Sequence, residues 1–221
     1  MKQLCVSLAL FTLACGDGGD PPAEVTAGAE YACDGPGSRF VTAVTEYEFG
    51  SGQDFGQDGF PAPVLGPPKG GGSGKGSLDV TSIGEGGFVT LEFGGNVIVD
   101  GEGPDFIVFE NPLTPGEPDD VYAELGSVMV SEDGESWIAF ECDPSAYPFE
   151  GCAGWRPVFA NADENDIDPL DPSLAGGDAF DLADLGLEWA RYVRIEDMPN
   201  DADDVRTFDL DAAAIVNAGC L

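Results

Sequence analysis

Histidine is absent from all 221 residues. That absence removes Ser-His-Asp and Cys-His catalysis, histidine-held zinc or iron, and the side chain that most often serves as a general base near neutral pH. Cations are scarce as well: eight Lys and Arg stand against 42 Asp and Glu, giving a formal charge of -34. A field of that sign repels nucleic acid and anionic lipid and attracts metal ions or cationic partners. Nucleic acid is therefore excluded as a partner. There is no internal repeat, and no second long apolar stretch follows the one at the start of the chain.

That first stretch reads as an export signal. Met1, Lys2 and Gln3 form a short basic head, and Leu4 to Ala14 form an apolar run too short for a bilayer, which needs roughly 20 residues. The run ends in Thr12-Leu13-Ala14-Cys15, a lipobox-like site in which Thr12 stands where Leu is usual. The expected organisation is a signal peptide over 1–14, a lipidated tether over 15–32 and a single domain over 33–221. Cys15 carries the lipid, and Gly16-Asp17-Gly18-Gly19-Asp20-Pro21-Pro22 is a flexible polar spacer. Gly16 after the cysteine favours the outer membrane over the inner one, and plain secretion is the alternative.

Cys33, Cys142, Cys152 and Cys220 remain for the exported domain, and four cysteines allow three pairings. Cys142 and Cys152 bracket a short Pro-containing loop and are expected to close it. Pairing Cys33 with Cys220 clamps the two ends of the domain.

Short apolar runs punctuated by Gly and Pro fill residues 88–216. Phe88-Val89-Thr90-Leu91-Glu92-Phe93 alternates in the manner of a strand. Asn96 to Asp100 and Phe106 to Glu110 read as a hairpin around Gly101-Glu102-Gly103-Pro104. Ser127 to Ser131 and Trp137 to Phe140 flank Asp133-Gly134, a strong turn dipeptide. Arg191 to Ile195 alternates, Phe208 to Val216 reads as one closing strand, and Ala179 to Leu187 is the single helical candidate. Pro67 to Gly76 reads as a mobile surface loop. Many short strands without βαβ alternation predict a mostly β fold, a β-sandwich with long Gly/Pro-rich loops and at most one short helix.

Several motifs follow one another in order: Phe55-Gly56-Gln57-Asp58, Val64-Leu65-Gly66-Pro67-Pro68, Gly76-Ser77-Leu78-Asp79-Val80, and Asp100 to Asn111. Val130 to Trp137, Gly176 to Gly186, Ala190 to Ile195 and Phe208 to Ala212 complete the series. Together, over about residues 38–217, they resemble bacterial "cell surface protein" lipoproteins. The domain of that group is similar to the galactose-binding-like, discoidin-type jelly roll. The resemblance implies a jelly-roll sandwich, and in many such modules a structural calcium ion. It brings no shared ligand. Some members are associated with outer-membrane nutrient uptake, including corrinoids, but no residue here supports that.

Two acid-rich segments fit a calcium site. Asp178, Asp181 and Asp184 recur every three residues, and Asp209 and Asp211 alternate with Phe208 and Leu210, which sets both on one face of the expected strand. Glu110 and Asn111 end a strand. Gathered carboxylates repel unless a cation sits among them, and oxygen-only ligands in an exported chain point to calcium. The predicted ligands are Glu110, Asn111, Asp178, Asp181, Asp209 and Asp211, against the simpler reading that these acids cap turns and solvate the surface.

For a bound solute, Trp155 and Arg156 offer an aromatic plate beside a guanidinium, joined by Tyr147 and Lys69. The competing reading packs Trp155 against the Cys142 to Cys152 loop and pairs Arg156 with an acid. Ser131 to Trp137 has an Asp-box flavour but lacks the spacer and the repetition of a propeller. A tight turn with Trp137 packed inside accounts for it. Gly70 to Gly76 lacks the strand, spacing and helix of a phosphate loop. What emerges is a non-enzymatic, lipid-anchored surface module for a glycan or small solute. The alternatives are an accessory subunit docking on an outer-membrane protein, or a carboxylate-dependent glycoside hydrolase.

Overall fold

The computed structural model describes residues 26–27, 37–113, 122–145, 147–198 and 206–220. The expected signal peptide, Cys15 and Cys33 lie outside the described residues, as does the expected tether apart from Thr26–Ala27, which pairs antiparallel with Gly219 and Cys220 and so is joined to a sheet rather than being free spacer. Strands follow the β-branched and aromatic runs: β1 (Thr26–Ala27), β2 (Ala43–Glu48), β3 (Thr81–Ser82), β4 (Phe88–Glu92), β5 (Asn96–Val99), β6 (Phe106–Phe109), β7 (Gly126–Ser131) and β8 (Ile138–Ala139). They continue as β9 (Cys152–Ala153), β10 (Asp178–Phe180), β11 (Trp189–Ala190), β12 (Tyr192–Asp197), β13 (Asp209–Leu210), β14 (Ala212–Ile215) and β15 (Ala218–Cys220). Among the described residues no helix is long and apolar enough to cross a membrane.

The largest sheet runs β2-β4-β12-β7-β8, with β9 also paired to β7, and a three-stranded sheet runs β10-β6-β14. Val89, Leu91, Val128, Val130, Val193 and Ile195 of the first meet Phe106, Val108, Ala213 and Ile215 of the second in one buried cluster. The architecture is therefore a β-sandwich, with antiparallel strand pairs throughout. The opposite face of the three-stranded sheet is covered too: Ile107, Phe109, Ala212 and Ala214 pack with Val158, Ala160 and Ala175. Coverage on both faces explains why β6 has no polar position. Fully burying each such side chain contributes about 1.5–3 kcal/mol.

The β7/β8 hairpin forms as expected, with Met129 opposite Ala139 and Val130 opposite Ile138. Its turn is held by Asp133, whose Oδ1 accepts from the backbone N–H groups of Glu135 at 2.8 Å and Ser136 at 2.7 Å. Those bonds hold the Asp133 carboxyl low, at about 2. Trp137, expected inside, is only half-buried; the Arg194 guanidinium lies over its ring at 4.2 Å and over Phe88 at 4.3 Å.

Other sequence expectations give way to tertiary pairing. β5 and β6 do not form a hairpin, because β5 pairs with β15 and β11 while β6 pairs with β10 and β14. Ala179 to Leu187 is not a helix: Phe180 pairs with Phe106 in β10, and only a single 3₁₀ turn, Leu182–Leu185, follows. Asp181 caps that turn by accepting from Ala183 N–H, and Gly186 at φ 66 ends it. The closing strand breaks at Asp211, so β13 joins β3 while β14 joins β6. Within the expected loop Pro67 to Gly76, Pro68 to Gly72 is packed down, while the tip at Ser73 to Lys75 is exposed. Gly70 N–H donates to Ala160 O, Gly72 N–H donates to Val158 O, and a Cβ on Gly71 would lie 2.0 Å from Lys75 O. Cys142 and Cys152 are bonded as expected. Cys220 is also disulfide-bonded, and its expected partner Cys33 lies outside the described residues.

Candidate metal centre

One end of the sandwich, where β6 and β12 finish and β7 begins, gathers acids from three separate parts of the chain. Glu110 directly follows β6, Glu124 sits two residues before β7, and Asp209 opens β13. A carboxylate oxygen from each lies within 4.8 Å of the other two. Like charges at that separation repel by about 3.5 kcal/mol per pair at an effective dielectric of about 20. Three ionised groups are thus unstable together without protons or a cation.

Hydrogen bonding leaves part of the trio unsatisfied. Glu110 is 1% exposed; its Oε1 accepts from Asp209 N–H at 3.3 Å, and its Oε2 has no partner. Asp209 accepts from the Ser82 hydroxyl across the β3/β13 pair. Burial first, and then the charges of Glu124 and Asp209, hold Glu110 well above the ordinary carboxylate range. Burial and Asp209 push Glu124 to about 8, and burial raises Asp209. Asp197, at the end of β12, extends the anionic pocket. Its Oδ2 is buried without a partner, and burial, followed by Glu85 and Asp209, pushes it to about 7. An orphaned buried carboxylate oxygen costs several kcal/mol, which a bound cation removes.

A second trio, Asp100, Asp105 and Asp181, also lies within 4.8 Å but is chemically different. Asp105 accepts from Gly101 N–H, Asn217 Nδ2 and Leu182 N–H. Asp181 caps the 3₁₀ turn through Ala183 N–H. Asp105 and Asp181 are thus occupied as loop fasteners, and Asp100 is exposed to solvent.

Of the six predicted ligands, the structure brings together Glu110 and Asp209 and disperses the rest. Asn111 faces the other way, bonding Ser77 through both its amide oxygen and its Nδ2. Asp178 is buried beneath the 154–156 segment, accepting from Gly154 N–H at 2.7 Å and Trp155 N–H at 3.2 Å. Asp181 is the cap already described. Asp211, separated from Asp209 by the strand break, accepts from Lys69 N–H at 2.9 and 3.1 Å. Sequence reasoning missed Glu124, a lone acid in Ala123-Glu124-Leu125 that only the fold carries to the pocket.

The expected solute-binding set is also divided. Trp155 is 8% exposed, packs with Ala123, Phe149 and the disulfide, and donates from Nε1 to Cys152 O. It is therefore a core residue, with Tyr147 edge-on at 5.6 Å and the Arg156 guanidinium 4.5 Å from its ring centroid. Arg156 Nε lies 3.9 Å from the unpartnered Oδ1 of Asp178. Lys69 belongs elsewhere, between Asp163 at 3.0 Å and Asp79 at 3.8 Å.

Fold and site together define an acidic β-sandwich domain with a buried carboxylate pocket at one end. No protein-family model matches the chain, and no curated protein matches it. Similar solved structures include the C-terminal domain of a chitobiase from Bacteroides fragilis, with a TM-score of 0.31 and 12% identity over 61% of this chain and 65% of that one. Another is described as a glycoside hydrolase, with a TM-score of 0.33 and 10% identity over 79% of this chain. The chain thus spans 65% and 31% of the lengths of these two structures.

Proposed function

We propose that the chain is an exported, calcium-stabilised β-sandwich binding module, tethered to the outer membrane through a lipid on Cys15, that holds a glycan or small solute without catalysing a reaction. The observation that carries the metal reading is the partnerless Oε2 of Glu110 inside a trio of carboxylates. The donors are all oxygens, which suits a hard cation. Calcium's tolerance of six to eight irregularly placed oxygens suits three carboxylates completed by carbonyls or water better than magnesium's strict octahedron does. A chain with 42 acids and no histidine has little else with which to hold a metal.

The hydrolase alternative needs two acids facing a substrate cleft. Glu110 is buried, and neither groove lined by Phe55 and Leu78 or by Phe40 and Ile167 contains any member of the trio. The arrangement favours a structural ion.

The test compares thermal melting after chelation and after adding calcium, with metal content measured by mass spectrometry. Calcium at 100 times its dissociation constant stabilises by about 2.7 kcal/mol, a rise of about 5–10 °C for a domain of this size. Glu110→Gln with Asp209→Asn removes the difference. An unmoved wild-type melting curve with no bound metal overturns the proposal.

A further inference from the structure

The large apolar side chains that the fold leaves exposed are not scattered evenly. Phe55 (46%), Leu65 (38%) and Leu78 (80%) line one half-open groove of about 490 Å³ together with Pro67, Lys69 and Asp79. Lys69 is fixed there from two sides. Its backbone N–H donates to the buried Asp211 carboxylate, and its ammonium is held between Asp163 and Asp79. The groove therefore has an aromatic and aliphatic wall beside a polar edge that offers both donors and acceptors.

We infer that this groove binds the neutral sugar rings of a glycan. The volume lies within the roughly 300–1,000 Å³ of ligand sites and admits one or two rings. A pyranose has one face of C–H groups, which suits the Phe55 and Leu78 wall, and equatorial hydroxyls that both donate and accept, which suit the Lys69 ammonium and the Asp79 carboxylate. The overall charge of -34 disfavours anionic ligands, and Lys69 is already neutralised by its two acids. A purely aliphatic ligand would leave much of its surface wet in a half-open groove, whereas a sugar keeps its outward hydroxyls hydrated. This inference rests on reading the chain as a binding module. It moves the ligand site away from Trp155 and onto Phe55, with Lys69 as the shared member.

The test is calorimetric titration of the calcium-loaded domain with neutral cello-, manno-, xylo- and chito-hexaose, alongside calcium-dependent melting of the same samples. Saturable binding of at least one sugar is expected. Phe55→Leu, which keeps the apolar volume, and Asp79→Ala should each weaken it tenfold or more, while Arg156→Ala leaves it unchanged. Failure of all four sugars, binding indifferent to both groove variants, or capture of a protein partner through this surface in place of sugar overturns the inference. Calcium-dependent melting that persists in that case shows that only the groove assignment has failed. Sugar binding without any calcium response leaves the groove standing and removes the metal.

Discussion

Asp178 is the buried carboxylate whose replacement separates charge from hydrogen bonding most cleanly. Its Oδ2 accepts from Gly154 N–H and Trp155 N–H, its Oδ1 has no hydrogen-bond partner, and the nearest cation is Arg156 at 3.9 Å. Burial outweighs those favourable contacts and pushes the carboxyl to about 7. The folded chain therefore holds this proton more tightly than the unfolded chain does. The resulting stability is complete below the unfolded value near 3.8 and is lost as pH rises through about 7. The ceiling is about 4 kcal/mol, at about 1.36 kcal/mol for each tenfold change in proton affinity. Asp178→Asn mimics the protonated form and keeps an oxygen for the two N–H groups. In chelator it should match the wild type near pH 4 and exceed it by up to about 4 kcal/mol at pH 8. Asp178→Ala leaves both N–H groups without an acceptor and should cost about 1–3 kcal/mol for each. Urea unfolding at pH 4.5, 6, 7 and 8 measures all three proteins. An Asn variant that tracks the wild type at every pH, or falls below it at pH 8, means that the ionised Asp178–Arg156 pair is worth more than the neutral carboxyl and refutes the reasoning.

Three further outcomes follow from the same geometry. Breaking the Cys142–Cys152 bond, which closes a loop with a sequence separation of 10, should lower stability by about 2.7 kcal/mol on the loop-entropy estimate, read as an earlier urea midpoint; no shift would mean the loop is already ordered in the unfolded chain. Gly154→Ala should destabilise the domain and blunt its response to calcium, because Gly154 has φ +94 and an added Cβ would lie 2.0 Å from Glu124 O, so Glu124 must move. Wild-type calcium affinity in that variant would show that Glu124 is not a ligand. Lipid on Cys15 is checked by labelling cells with an alkyne fatty acid: Cys15→Ala should lose the label, and an unlabelled wild type refutes the anchor.

What could be read from the residues was local. Asp133-Gly134 specifies its own turn, and the β7/β8 register follows from it. The continuous apolar run of β6 fits burial on both faces, whereas Glu110 directly after it reads from the sequence only as the end of a strand, and its burial comes from the fold. Pairings made across long separations were not legible. β5 and β6 are separated by a hairpin-like Gly-Glu-Gly-Pro segment, yet each finds its partners 70 or more residues away, the shortest separation being that from Val108 to Asp178. The alternation through Asp209 and Asp211 has strand periodicity, but the break at Asp211 sends one carboxylate to Ser82 and the other to the Lys69 backbone. Glu124 carries no local signal, since its neighbours Ala123 and Leu125 would suit any edge strand. Trp155 has the composition of a ligand plate and the burial of a core residue, and composition alone does not distinguish the two.

The calcium site is tested most directly by locating the ion in a crystal. Data collected from calcium-loaded crystals at a long wavelength give an anomalous difference map. One strong peak is expected within about 2.3–2.6 Å of oxygens from Glu110, Glu124 and Asp209. A map without a peak there, or with its peak at the Asp100, Asp105 and Asp181 trio instead, contradicts that expectation.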